Sequence, residues 1–232
     1  MSSSESGPNP EFKPFHNVCE FLTAIHIYAD EARQGKTRYV EATHYCAHVR
    51  KDLRQCLIYD SHEKDARLIG VEYMVPKHVY DNLPDEEKKL WHSHEFEVKS
   101  GMLILPKLAG YSDEEWEKAE LEAMEEIVGL YGKTWHFWQV DAGHEIPMGL
   151  PKLMGSVTHS EQIDLDVAMK SRNDTFGVHH AQKAEARRSI VAPTTHSGGS
   201  LFVRFCKAQV LTIRVDANSW WKVHESEKGI QA

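Results

Sequence analysis

Cysteine is scarce in this chain, and the four present (Cys19, Cys46, Cys56 and Cys206) form no CxxC pair. That excludes a zinc ribbon or a thioredoxin-like redox motif, and the expectation is of free thiols in a reducing, intracellular setting. No stretch approaches the roughly 20 apolar residues of a membrane span, so lipid contact, if any, is expected to be peripheral. Residues 1–8 lack the basic and apolar regions of a secretory signal, and a cytoplasmic location is expected. Positive charge is also short: 27 Lys and Arg face 35 Asp and Glu, a formal net charge of −8, with no dense basic run. A nucleic-acid partner needs a basic face against phosphates and is excluded. A Gly-rich phosphate loop and a GxSxG elbow are both absent, which removes nucleotide-binding and serine-hydrolase readings.

What remains is an ordinary globular composition, 41% hydrophobic and 27% charged, in a chain long enough to bury a sizeable core. Residues 39–49, 54–60 and 68–75 are rich in Val, Ile, Tyr and Cys and are separated by turn-like segments, Lys51-Asp52 and residues 60–65. Three strands at such short spacing predict an antiparallel meander. Residues 18–25 show helical spacing, with His26-Ile27-Tyr28 read alternatively as the start of a strand; residues 76–90 read as a helix, 92–106 as one strand or two broken at Ser100-Gly101, and 133–141 as a strand. Ser112-Asp113-Glu114-Glu115 is a capping box that opens a helix to about residue 129, and Ser160 is expected to cap another ending near Gly177. The predicted fold is α+β, a mainly antiparallel sheet with helices packed on one face. A disordered tail (1–14), a domain (15–192) and a linker with C-terminal extension (193–232, with strand character at 201–215) complete the expected organisation.

Five of the 15 histidines fall in three strand-like segments: Thr43 to His48, Trp91 to Glu97, and Thr134 to Trp138. Side chains two apart on a strand share a face, so His44, Cys46 and His48 line one face and His92 and His94 another. Imidazoles gathered on one face are the raw material of a transition-metal site. His44, His48, His92 and His94 are the candidate metal ligands, for a divalent transition ion (Zn, Fe, Mn or Cu). His136, Glu97 and Asp141 are the candidate catalytic groups: a buried acid–base histidine, a carboxylate near the His pair, and a carboxylate to orient a ring. The competing reading of each segment is a core strand whose histidine bonds a carbonyl. His92-Ser93-His94 with Glu97 superficially resembles the first metal motif of cupins, but the upstream glycine is missing and no Gly-rich element follows in register.

Several tracts together resemble the oil body-associated protein family. They are His44-Tyr45-Cys46, Gln55-Cys56-Leu57-Ile58-Tyr59-Asp60, Leu68-Ile69-Gly70-Val71-Glu72-Tyr73, Leu90-Trp91-His92-Ser93-His94, Glu97-Val98-Lys99-Ser100-Gly101, and the long run from Tyr131 to Asp141. The resemblance spans about residues 15–190, and the tail after 195 departs from it, as expected of a fungal or microbial member. It implies association with lipid droplets and assigns no catalytic residue. Two functions arise as expectations. The first is a protein peripheral to the lipid-droplet surface, carrying a His-lined metal or ligand pocket. The second is a metal-dependent or His acid–base enzyme acting on a small, partly apolar metabolite.

Overall fold

The structure, a computed structural model, describes residues 10–193. The expected strand at 201–215, and the expected tails apart from their innermost residues, lie outside this range. The meander is present as predicted. Strands β2 (Tyr39–Arg50), β3 (Leu53–Tyr59) and β4 (Leu68–Pro76) pair antiparallel through the two short turns. The segment with helical spacing is instead strand β1 (Val18–Tyr28), paired along β2 from Val18↔Ala47 to Ile27↔Tyr39. A short apolar run does not separate helix from strand by period; here Leu22, Ala24, Ile25 and Ile27 are all buried because both faces of the strand are covered.

Strands β5 (His92–Ser93), β6 (Leu130–His136) and β7 (Lys152–Gly155) complete an antiparallel seven-stranded sheet. The free edge of β4 is taken by β6, from Gly70↔His136 to Pro76↔Leu130. The other edge of β6 is shared by β5 and β7, and β7 returns to β1 at Tyr28↔Met154. These pairings close β1-β2-β3-β4-β6-β7 into a ring, which removes the exposed strand edges of an open sheet. The fold is α+β, as predicted, with the sheet closed on itself.

Closure gives each strand an inside and an outside. Leu22, Ala24, Val40, Ala42, Ile58 and Met74 belong to one continuous core, into which Met124, Ile127 and Val128 reach from the helix Asp113–Ile127. That helix starts with the predicted capping box: Ser112 accepts from the Glu115 N–H while the Glu115 carboxylate accepts from Ser112. On the outside, Ile25 and Ile27 pack with Met102, Val157, Ala168 and Met169, and Val75 and Tyr131 pack with Tyr80 and Trp91.

Four predicted elements are shorter than expected. The helix over 76–90 is two single turns, Lys77–Tyr80 and Asp85–Lys88, and the strand over 133–141 ends at His136. The strand from residue 92 ends after Ser93, whose hydroxyl accepts the Glu95 N–H and turns the chain into the helix Glu95–Lys99. Ser160 opens only a 3-10 turn. Asp164 accepts from the Asp166 and Val167 N–H groups and caps the short helix Leu165–Ala168, and Gly177 at φ 63° ends the helix Lys170–Phe176. The expectation of free thiols is overturned at Cys46 and Cys56, which stand opposite each other on β2 and β3 and form a disulfide. Cys19 is free.

Candidate metal centre

Inward positions on five strands converge on one carboxylate. Glu72 is the inward residue of β4 between Gly70 and Met74, and it is 1% exposed. Its neighbours inside the barrel are His44 from β2, His92 from β5, and His94 at the start of the helix Glu95–Lys99. Glu72 Oε2 lies 3.2 Å from His44 Nε2. Glu72 Oε1 lies 3.3 Å from His92 Nε2 and 3.7 Å from His94 Nε2, and accepts a 2.8 Å hydrogen bond from Thr134. His26 of β1 stands beside His44, with Nε2 atoms 3.1 Å apart, and its Nδ1 is 2.9 Å from His136 Nε2. Glu97 Oε2 is 3.6 Å from His94 Nε2. All these side chains are buried.

The far side of the rings shows how they are held. His44 Nδ1 donates to the Ala42 carbonyl at 3.2 Å and His94 Nδ1 to the Leu130 carbonyl at 3.1 Å. A carbonyl only accepts, so these contacts place the proton on Nδ1 and leave the Nε2 lone pair facing Glu72. This is how a ligating histidine is usually oriented, its second nitrogen donating to a carbonyl. His92 has no hydrogen-bond partner at either ring nitrogen, and Glu72 Oε2 and Glu97 Oε2 lack one as well, among the described residues. A buried polar atom with no partner costs on the order of 1–3 kcal/mol; here several point at each other.

Burial disfavours charge on the rings. It holds His92 and His136 down at about 3 and keeps His26 and His94 below the usual histidine value. Burial would raise the Glu72 carboxyl, but contact with His44 and the fields of His94 and His92 outweigh it and hold the group well below the carboxylate range. Glu97 is pushed well above that range by burial and by the Glu72 charge. For His26, His92, His94, His136 and Glu72 these directions favour neutral rings and an ionised carboxylate, the forms in which such groups ligate a metal. Two buried triads in this cluster have ligand atoms within 4.8 Å of one another, His26, His44 and Glu72, and Glu72, His92 and His94; a third such group, Asp166, His179 and His180, lies elsewhere and is mostly exposed. Imidazole nitrogen with carboxylate oxygen suits the first-row transition ions.

Of the sequence candidates, His44, His92, His94, His136 and Glu97 are brought together. His48 is not: it lies beyond the barrel mouth, 45% exposed at its side chain, 3.2 Å from Glu20. Asp141 also stays outside the cluster, accepting from the Tyr28 hydroxyl at 2.6 Å and pairing with Arg38. Two central residues went unread in the sequence, His26 and Glu72. The signal for Glu72 was a lone carboxylate at an inward position of an otherwise apolar strand.

The match to a family described as Protein of unknown function (DUF1264) covers residues 12–191. Oil body-associated protein 1A of Zea mays is 43% identical over 193 residues, covering 83% of this chain and 76% of the relative. Oil body-associated protein 1B of Arabidopsis thaliana is 42% identical over 182 residues, covering 78% and 70%. Oil body-associated protein 2A of Zea mays is 38% identical over 189 residues, covering 81% and 70%. No solved structure matches. With the family match spanning well over half of the chain and the chain covering more than two thirds of each of these relatives, it belongs to the DUF1264 family, alongside the oil body-associated proteins.

Proposed function

We propose that this protein binds a divalent transition ion (Zn, Fe, Mn or Cu) inside its barrel, with Glu72, His92 and His94 as ligands. The observation that carries this reading is His92. It is 1% exposed, neither ring nitrogen has a hydrogen-bond partner among the described residues, and its Nε2 faces Glu72 Oε1 at 3.3 Å. Buried polar groups in packed cores are as a rule satisfied, so a ring with neither nitrogen bonded points to a missing partner. An ion at roughly 2.0–2.1 Å from each nitrogen would do so. Metal analysis of protein purified without a His tag tests the reading. About one or more ions per chain are expected, with loss in His92→Ala and His94→Ala; wild-type protein that stays metal-free after incubation with each of these ions would sink it.

A second observation favours contact with a lipid surface, as the names of the relatives suggest. The segment leading into β7 exposes Ile146 (63%), Met148 (47%) and Leu150 (59%) within five residues. Adjacent exposed apolar side chains mark interaction surfaces, and each is worth about 1.5–3 kcal/mol if withdrawn from water. Among the described residues no helix is long and apolar enough to cross a membrane, so this contact is peripheral. Flotation with phospholipid-coated triacylglycerol droplets tests it. The wild type is expected to float and a variant with Ile146→Asp, Met148→Asp and Leu150→Asp to stay in the aqueous fraction. Equal partitioning of the two would overturn the assignment to this segment.

A further inference from the structure

We propose that Glu72 bridges two cations, the second held by His26 Nε2, His44 Nε2 and Glu72 Oε2 beside the first. This rests on the metal reading above and adds a site to it. The two carboxylate oxygens face different histidines: Oε1 meets His92 and His94, at 3.3 and 3.7 Å, while Oε2 meets His44 at 3.2 Å. The four rings fall into two pairs. Centroids are 4.9 Å apart within His26–His44 and 5.0 Å within His92–His94, but 6.3 Å apart between His26 and His92.

Hydrogen bonding on the remote side of the second pair leads to the same place. His44 Nδ1–H is committed to the Ala42 carbonyl, so its Nε2 presents a lone pair. His26 Nδ1 lies 2.9 Å from His136 Nε2; in the tautomer that donates from His26 Nδ1 to His136, the His26 Nε2 lone pair is free as well. Those two Nε2 atoms lie 3.1 Å from each other. Glu72 Oε2, which only accepts, has no hydrogen-bond partner among the described residues. In that tautomer three acceptors face one point, a convergence that a metal ion would satisfy; in the other, His26 Nε2–H donates to His44 Nε2 and the ion would have to displace that proton. A single ion bound by His92, His94 and Oε1 leaves this second convergence unresolved. Carboxylates bridge metal pairs separated by about 3.5–4 Å in two-metal sites, and a donor set of imidazoles with one shared carboxylate suits two first-row transition ions. His136 is then a positioning residue that orients the His26 ring and does not itself bind.

The test is the number of ions per full-length, untagged chain after loading with cobalt(II) and removal of free metal. Two ions per chain in the wild type, falling to one in His26→Gln, support the bridge. One ion in the wild type, unchanged in His26→Gln, overturns the second site and leaves the first standing, the second convergence then being satisfied by a proton. No ion overturns both readings. X-ray absorption on the cobalt-loaded wild type reads the pair without any variant: a cobalt–cobalt scattering path near about 3.5–4 Å is expected, and its absence from a two-ion sample overturns the shared carboxylate.

Discussion

Replacing Gly132 by alanine places one methyl carbon in the middle of the candidate centre. Gly132 is an inward position of β6, opposite Met74 on one side and His92 on the other. A Cβ built there falls onto Glu72 Oε1 and lies 2.8 Å from both His92 Cε1 and His94 Cε1, about 0.6 Å inside the 3.4 Å of an ordinary contact. The neighbours are not free to retreat. Glu72 is tied to Thr134 at 2.8 Å and His94 to the Leu130 carbonyl at 3.1 Å. Overpacking of this kind costs about 1–3 kcal/mol, which for a domain of this size lowers Tm by roughly 2–12 °C. The sharper consequence is for metal. Ligand positions are tolerated to about ±0.2 Å, so shifting the His92 and His94 rings by about 0.6 Å, and Glu72 Oε1 by more, is expected to weaken binding on the order of 10–100-fold, comparable to loss of an orienting partner. Competition against a fluorescent chelator measures the affinity, and thermal unfolding of the apoprotein measures the packing term. Gly129→Ala is the control, because its nearest foreign atom, Pro193 Cγ, is 3.4 Å away. A folded Gly132→Ala protein with wild-type affinity would refute the placement of the ion against Glu72, His92 and His94.

Thr134→Val keeps the shape of the residue but removes the hydroxyl that donates to Glu72 Oε1; a loss of about 1–3 kcal/mol in apoprotein unfolding free energy is expected by chemical denaturation. His48→Ala is expected to leave metal content and affinity unchanged by the same chelator assay, since His48 faces Glu20 outside the barrel. Stripping the metal is expected to lower Tm, because an ion present at 100 times its Kd stabilises the folded state by about 2.7 kcal/mol; identical calorimetric transitions before and after stripping would contradict this. Digestion without reductant is expected to yield a peptide cross-linked through Cys46 and Cys56, and reduction should cost about 2–4 kcal/mol of stability.

The part of the fold legible in the sequence is the part built from neighbours in the chain. The β2-β3-β4 meander arises from alternating residues and short polar turns, and the Ser112 cap from a local donor–acceptor exchange. Barrel closure rests on the β4–β6 seam, which pairs Pro76 with Leu130 across a long intervening segment. No local pattern announces a pairing of that separation. The two-residue strand β5 is too short to carry any period, yet it delivers His92. The same limit explains His48. It shares a strand face with His44, as spacing predicts, but the barrel ends between them and spacing does not say where.

Glu72 and His26 were hidden for a related reason: a strand residue's parity is visible in sequence, but which parity is interior becomes visible only with closure. The glycines carry that information in another form. Gly70 and Gly132 both lie on the seam, opposite His136 and Met74 in register. A Cβ at Gly70 would come within 2.7 Å of His136 Cδ2, as one at Gly132 would crowd His92 and His94. A glycine inside a strand weakens it, by roughly 0.5–1 kcal/mol relative to alanine, and often marks the close approach of another group. Two of them on adjacent strands, each against an inward imidazole, are the space that lets a five-histidine cluster fit inside a barrel of only six strands. The barrel is therefore built around the imidazoles, at a cost in strand stability that an apolar core would not require.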